Sequence, residues 1–339
     1  MPSSILSEAL SPRLLAPPAP ILILANPTAG VGKGRASRLR LLEAAKNELE
    51  KHGHTVHIGF EDESGGISER AENAARAGAP LIVAAGGDGT VNAVANGILR
   101  ASNGEKSQTK LGILPMGTGN VVAFNLGLGK GWKSAVKIIR EGHTRTIDAG
   151  LALPLDGARG PSKHGDEAPT PRYFLLMAGI GFDAKVIEDT SLRLKFVLRD
   201  FAYALRSLQN AVVHQGTQVT LTFPDGRVES ALSWILMAGN AASYAWAIRF
   251  TERARLNDGQ LDLCLFPFAN KMKSIQQVMQ LLIGQHVERG AAHYFKTTGV
   301  KIESAPPIPV QLDGDEWGTT PLELRVCPGV LQVLAPQED

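Results

Sequence analysis

Cysteine is nearly absent from this chain of 339 residues: Cys264 and Cys327 stand far apart, each inside an apolar run. Two such residues exclude a disulfide framework and a cysteine-rich metal cluster, and they fit a reducing cytoplasm. An excess of charge of either sign is also missing. Lys and Arg number 35 against 33 Asp and Glu, a net charge of +2 at pH 7. Phosphate-backbone binding needs clustered Lys and Arg, so no nucleic acid is expected as the main partner. No apolar run reaches the roughly 18 residues of a membrane-spanning helix. Residues 1–20 lack a basic n-region, and Glu8, Arg13 and several prolines break their apolar pieces, so they read as a loose leader and not as a signal peptide.

What is present is a globular composition, 44% apolar and 20% charged, at a length that suits two domains. From Ile21 the pattern alternates. Strands are expected over 21–25, 55–60, 81–85 and 111–114, and helices over 36–51, 67–77, 91–100 and 132–140. In the first helix Leu39, Leu42, Ala45 and Leu49 make the core stripe. Strands separated by helices imply parallel pairing in a covered sheet. The character changes near Asp148. Residues 154–172 read as a polar excursion, and strands follow over 174–179, 218–223, 233–238, 261–266, 300–303, 310–312 and 322–326. Helices over 192–213 and 271–283 interrupt them. The expectation is an α/β domain over 21–148 and a mostly antiparallel second domain over 149–339, whose last residues are free to return to the first.

Three loops at strand ends carry the chemistry. The strand from Leu81 runs into Gly86, Gly87, Asp88, Gly89 and Thr90, then into a helix through Val91 and Asn92. Glycines let backbone approach an anion, and a helix N-terminus supplies free N–H groups. An Asp in such a loop would repel phosphate directly, and makes sense if it reaches Mg²⁺ or an acceptor hydroxyl. A tight turn capped by Asp88 and Thr90 is the bland alternative. The strand from Leu111 ends in Pro115, Gly117, Thr118, Gly119 and Asn120. The first strand ends in Asn26, Pro27, Thr28, Ala29 and Gly30, at the edge where open α/β sheets bind ligands. Gly32-Lys33-Gly34 is no Walker A loop, because Gly34 stands where Ser or Thr is required. Gly30-Val31-Gly32 lacks the third glycine of the dinucleotide fingerprint.

Together these loops resemble the catalytic domain shared by diacylglycerol, sphingosine and ceramide kinases. The likeness continues through Ala178 to Ala184, Leu194-Lys195 with Phe201-Ala202-Tyr203, Gly239-Asn240, Ala254 to Asp262 and Asp313-Gly314-Asp315, in the family's order. The resemblance implies a phosphofructokinase-like α/β domain followed by a β-sandwich, with ATP and Mg²⁺ as cofactors and transfer of phosphate to a lipid alcohol. It places ATP on Asn26 to Gly30, Gly86 to Asn92 and Gly117 to Asn120. Asp313 resembles the family's general base, and Asp315 stands where Glu is usual. In the sphingoid branch the counterpart of Asp88 is the base, so the two roles are exchangeable. Asp258, with the carbonyls of Arg255 and Gln260, resembles a structural Mg²⁺ site. Without the family, Asp313-Gly314 reads as a hairpin turn and Asp258-Gly259 as another turn. Departures from the family pattern are Ala93, Val121 and the absence of a glycine pair after Asn240.

The implied location is cytoplasmic with peripheral contact to a membrane surface, and a homodimer is left open. In 192–213, Lys195, Arg199 and Arg206 share one helix face. That face could meet anionic lipid heads, or simply be the solvated side of a packed helix. A NAD kinase-like enzyme and a non-catalytic nucleotide- or lipid-binding homologue are the competing functions.

Overall fold

Apolar strands recurring between helices fold here into a parallel sheet. The computed structural model describes residues 20–26, 34–60, 66–129, 131–161, 167–181, 216–243 and 249–337. β1 (Ile21–Ala25), β2 (Val56–Phe60), β3 (Leu81–Gly86) and β4 (Lys110–Pro115) lie in the order β4-β3-β1-β2, all parallel. The helices between them are α1 (Arg35–Lys51), α2 (Ile67–Arg76) and α3 (Asp88–Ala101), with α4 (Val121–Asn125) and α5 (Trp132–Glu141) after β4. Right-handed crossovers put α1 on one face and α2 with α3 on the other. α1 accordingly packs with α5, and α2 with α3. The buried stripe of α1 is Arg38, Leu42, Ala45 and Leu49. Leu39, expected in that stripe, faces outward, because a helix 3.6 residues per turn aligns position 38 with 42, 45 and 49.

The second half is antiparallel. β5 (Thr144–Pro154) pairs along its length with β15 (Leu322–Leu334), and β15 also runs parallel to β4 at Val333↔Leu111. One ribbon therefore belongs to both halves. Its register shifts between Cys327 and Leu331, and Asp148 fills the irregularity. Asp148 Oδ1 accepts the Gly329 N–H at 2.7 Å and Oδ2 accepts the Gly259 N–H at 2.7 Å. The remaining strands are β6 (Arg172–Phe174), β7 (Met177–Ile180), β8 (Thr217–Thr222), β9 (Val228–Gly239), β10 (Leu261–Pro267), β11 (His293–Thr297), β12 (Gly299–Ala305), β13 (Pro309–Leu312) and β14 (Asp315–Thr319). Helix α6 (Lys271–Leu282) connects β10 to β11. The order continues as β14-β13-β7-β9-β8-β12-β15, with β10 joined to β9 and β11. One apolar cluster lies among these strands, around Leu221, Leu236, Leu263, Ile302 and Leu324. A second runs from the α/β layers out to Trp234, Phe266, Val278 and Leu281.

Two local expectations change. The strand over 174–179 is split, since Leu175 and Leu176 leave the ladder between β6 and β7 and turn their N–H groups to Asp313. The excursion expected over 154–172 does run from the end of β5 at Pro154 to the start of β6 at Arg172, but β5 itself is a strand not expected from the sequence. Pro27 to Gly30 and the helix expected over 192–213, with Lys195, Arg199 and Arg206, fall outside the described residues. Among the described residues, no helix is long and apolar enough to cross a membrane.

Candidate functional site

Two glycine turns meet at the C-terminal edge of the parallel sheet. Met116 N–H and Gly117 N–H both donate to the Gly86 carbonyl, at 2.8 and 3.1 Å. A Cβ at Gly117 would collide with the backbone of Gly87, so the turns touch main chain to main chain and only glycine fits there. Asn120, in the left-handed region at φ 51°, closes the second turn with its own amide. It accepts from Gly117 N–H at 3.0 Å and donates to the Gly117 carbonyl at 2.9 Å.

Asp88 is the first residue of α3, and not a member of the loop before it. Its Oδ1 accepts the Val122 N–H at 3.0 Å and so caps α4. A Cβ at Gly119 would stand 3.0 Å from Oδ2. The bland reading of Asp88 as a cap is thus right in kind, but the helix it caps is the next one. The N-terminus of α3 itself carries no side-chain cap, and a Cβ at Gly89 would meet nothing within 4 Å. An uncapped helix start beside open glycine backbone is a cradle for phosphate oxygens.

Asp88, Asn92 and Asn96 stand four residues apart on α3, which places them in one row along the helix. Asn92 and Asn96 are buried. Asn96 Nδ2 donates to the Tyr173 carbonyl at 2.9 Å and its Oδ1 accepts the Tyr173 N–H at 2.9 Å, which fixes β6 to α3. Asn92 Nδ2 donates to Asp313 Oδ2 at 2.6 Å. Asp313 and Gly314 form the β13–β14 hairpin, with φ of 51° and 93°. That is the primed turn an Asp-Gly pair favours. The turn and the site are therefore one object. Asp313 Oδ2 also accepts the Leu175 N–H at 2.7 Å, and Oδ1 accepts those of Leu176 and Met177, both at 2.9 Å. Burial pushes the carboxyl up to about 6, while these backbone donors and Asn92 pull the other way.

Arg172 was not singled out in the sequence. Its guanidinium donates to Asn92 Oδ1 at 3.2 Å and to Asp315 Oδ2 at 2.5 Å, so it ties Asp315 to the same row. Asn96 was missed as well, although a second Asn four residues after Asn92 in an otherwise apolar helix was a readable signal. Asp258 lies apart from this group. Its Oδ2 accepts from Lys296 Nζ at 2.9 Å and its Oδ1 from the Gln260 N–H at 3.2 Å. Lys296 also stands 3.4 Å from the buried Asp262. The Lys296 ammonium thus already neutralises Asp258 at the place where the family resemblance implies a cation held with the carbonyls of Arg255 and Gln260. Among the described residues, no three His, Cys, Asp or Glu side chains cluster as a metal centre. Asn26 reaches the sheet edge, its N–H donating to the Ala85 carbonyl at 3.2 Å.

Comparison with known proteins agrees with the two-part fold. The diacylglycerol kinase catalytic domain matches residues 20–152, and the YegS C-terminal NAD kinase beta sandwich-like domain matches residues 177–335. A probable lipid kinase YegS-like of Chromohalobacter salexigens is 27% identical over 304 residues, covering 90% of this chain and 91% of the relative. A diacylglycerol kinase of Staphylococcus epidermidis is 26% identical over 317 residues, covering 93% and 92%. A crystal structure of a putative diacylglycerol kinase from Bacillus anthracis superposes with a TM-score of 0.71 at 23% identity, covering 94% of this chain and 97% of that one. Yeast NADH kinase shares the fold more distantly, with a TM-score of 0.51 at 10% identity over 95% of this chain and 85% of that one. The chain belongs to the diacylglycerol kinase family of lipid kinases, phosphotransferases with an alcohol as acceptor.

Proposed function

We propose that the protein transfers the γ-phosphoryl group of ATP, in the presence of Mg²⁺, to the hydroxyl of a lipid such as diacylglycerol or a sphingoid lipid. The observation that carries this reading is the row Asp88–Asn92–Asn96. It leads from an uncapped helix N-terminus between two glycine turns to a carboxylate of raised pKa on the other half of the molecule. The backbone of Gly86, Gly87, Gly89 and Thr90, with Gly117, Thr118 and Gly119, holds the phosphates of ATP. Asn26, at the same sheet edge, opens the third loop that the family resemblance assigns to ATP. Mg²⁺, when bound, neutralises charge on the phosphates. A single carboxylate suffices to hold it alongside phosphate oxygens, and Asp88 fits that part.

Asp313 takes the proton of the acceptor hydroxyl as its oxygen attacks the γ-phosphorus and the bond to the ADP oxygen breaks. Its carboxylate is surrounded by four donors, of which three are backbone N–H groups and one is the amide of Asn92. The acceptor hydroxyl approaches Oδ2, the oxygen that faces Asn92 and the Leu175 N–H. Arg172 holds Asp315 and Asn92 in position beside it.

Two outcomes follow for the wild-type and a glycine variant. A base must be ionised, and Asp313 is raised to about 6. The single-turnover rate should therefore fall as pH drops through about 6 and level off above it. A flat profile from about pH 5 to 7 removes Asp313 as the base. In Gly117→Ala the new Cβ forces the two glycine turns apart. Calorimetric affinity for ATP should weaken by about five- to 150-fold, the equivalent of about 1–3 kcal/mol of overpacking strain, while circular dichroism stays that of the folded protein.

The reading itself is tested by offering labelled ATP and a panel of lipid alcohols in mixed detergent micelles, with Mg²⁺ and with a chelator. Mg²⁺-dependent label in lipid is expected. Label appearing in NAD and in no lipid would overturn it in favour of the NAD kinase-like alternative. The absence of transfer to any acceptor would favour a non-catalytic binding protein.

A further inference from the structure

Surface helices of globular proteins put polar residues on the side away from the core. Helix α6 does the reverse of this on its outer side. Ser274, Gln277, Val278 and Leu281 are its buried residues. Directly opposite stand Met272, Ile275 and Met279, with Ile283 just past the last turn, at 75%, 50%, 56% and 57% exposure. At 3.6 residues per turn these four fall within an arc of about 80°. They are four of the eight large apolar side chains exposed among the described residues.

The mount of this helix is rigid. Asn270 caps its start, accepting the Lys273 N–H at 2.9 Å. The buried Gln277 accepts from Trp234 Nε1 at 2.8 Å and donates to the carbonyls of Pro267 and Ala291, each at 2.9 Å. α6 thus sits on the sheet face whose apolar cluster continues into the α/β layers, and presents its outer face in a fixed orientation. Charge narrows the choice of what meets that face. From Lys271 to Val287 there is no Asp or Glu. Lys271 and Lys273, both exposed, flank the apolar stripe on its two sides. A stripe that inserts, bordered by cations and free of acids, complements a surface that is apolar within and anionic at its rim. A second copy of the chain is less suited. One short stripe falls below the roughly 800 Å² per partner of a stable interface, and it offers no acid to the facing lysines.

We propose that the outer face of α6 seats the enzyme on an anionic bilayer, with Met272, Ile275, Met279 and Ile283 entering the interface and Lys271 and Lys273 meeting lipid phosphates. This rests on the reading of the protein as a kinase of membrane-resident lipid alcohols. Its test is sedimentation of the full chain with vesicles of phosphatidylcholine alone and of phosphatidylcholine mixed with phosphatidylglycerol. The wild-type should bind the mixed vesicles more tightly. The triple variant M272Q/I275Q/M279Q should lose at least about tenfold in partitioning, as buried apolar area is removed. K271Q/K273Q should lose about fivefold per lysine on the anionic vesicles only, and that loss should vanish in high salt.

Thermal midpoint, sedimentation velocity and transfer in detergent micelles complete the test. All three should be unchanged in the triple variant. Equal vesicle binding by wild-type and triple variant overturns the proposal. So does a fall of several degrees in the variant's midpoint, which would mean the face is covered within the chain. A wild-type dimer that the substitutions dissociate, with vesicle binding intact, assigns the face to a second copy. Failure of micellar transfer in the wild-type would instead overturn the kinase reading, and the vesicle arm would still decide the role of α6.

Discussion

Asp88→Asn should reduce phosphoryl transfer at least about 10³-fold while leaving the protein folded. The asparagine keeps an oxygen that can accept the Val122 N–H, so the cap of α4 survives. What it loses is the charge beside the uncapped start of α3, where a cation and the transferring phosphate would meet. Asp88→Ala removes the cap as well and should cost about 1 kcal/mol of stability in addition. The measurements are transfer to micellar lipid, the Mg²⁺ titration of that rate, and the thermal midpoint. Turnover within a few-fold of the parent, on protein shown to be folded, would remove Asp88 from the reaction.

Asp313→Asn should lower the transfer rate by roughly 10²–10⁴-fold, the contribution of a positioned base. ATP affinity should stay near normal, because the glycine turns belong to the other half of the molecule. From the sequence, asparagine is a replacement that preserves hydrogen bonding at 313. The structure corrects this. All four neighbours of the carboxylate are donors, and an amide turns its own two N–H donors toward some of them. Each buried donor left unpaired costs about 1–3 kcal/mol, so the variant should also unfold at lower denaturant.

A second variant separates the base from the brace. Asn92→Ala removes the side-chain donor that favours the ionised carboxylate and leaves the three backbone donors in place. The break in the pH–rate profile should then move upward from about 6. A brace with no part in proton transfer would give no such movement. If Asp313→Asn transfers phosphate normally while Asp88→Asn is inactive with unchanged metal dependence, Asp88 is the base and the two roles are exchanged.

Much of the molecule was readable before folding, for local reasons. Apolar runs at Ile21, Leu81 and Leu111, the last two closed by glycine turns, specify covered parallel strands and the edge at which open α/β sheets bind ligands. The family's ordered motifs add the antiparallel second half and the two carboxylates. Other features were hidden because they depend on partners distant in sequence. That β5 and β15 form one ribbon through both halves is invisible in either segment, since ladder hydrogen bonds join residues more than 150 positions apart. Arg172 and Asp315 meet only because β6 is tied to α3 through Asn96 and the β13–β14 hairpin brings Asp315 alongside.

Asp313 shows the division most clearly. Its identity and its Asp-Gly turn are local properties, set by the preference of that pair for positive φ. Its four donors exist only once the break between β6 and β7 aims three N–H groups at one carboxylate, and its pKa is raised only because the folded surroundings bury it. The sequence alone determined which side chains and turns were available, because propensity and periodicity act over a few residues. Only the tertiary structure decided which of them share a site, because burial and hydrogen bonding depend on neighbours that the chain order does not name.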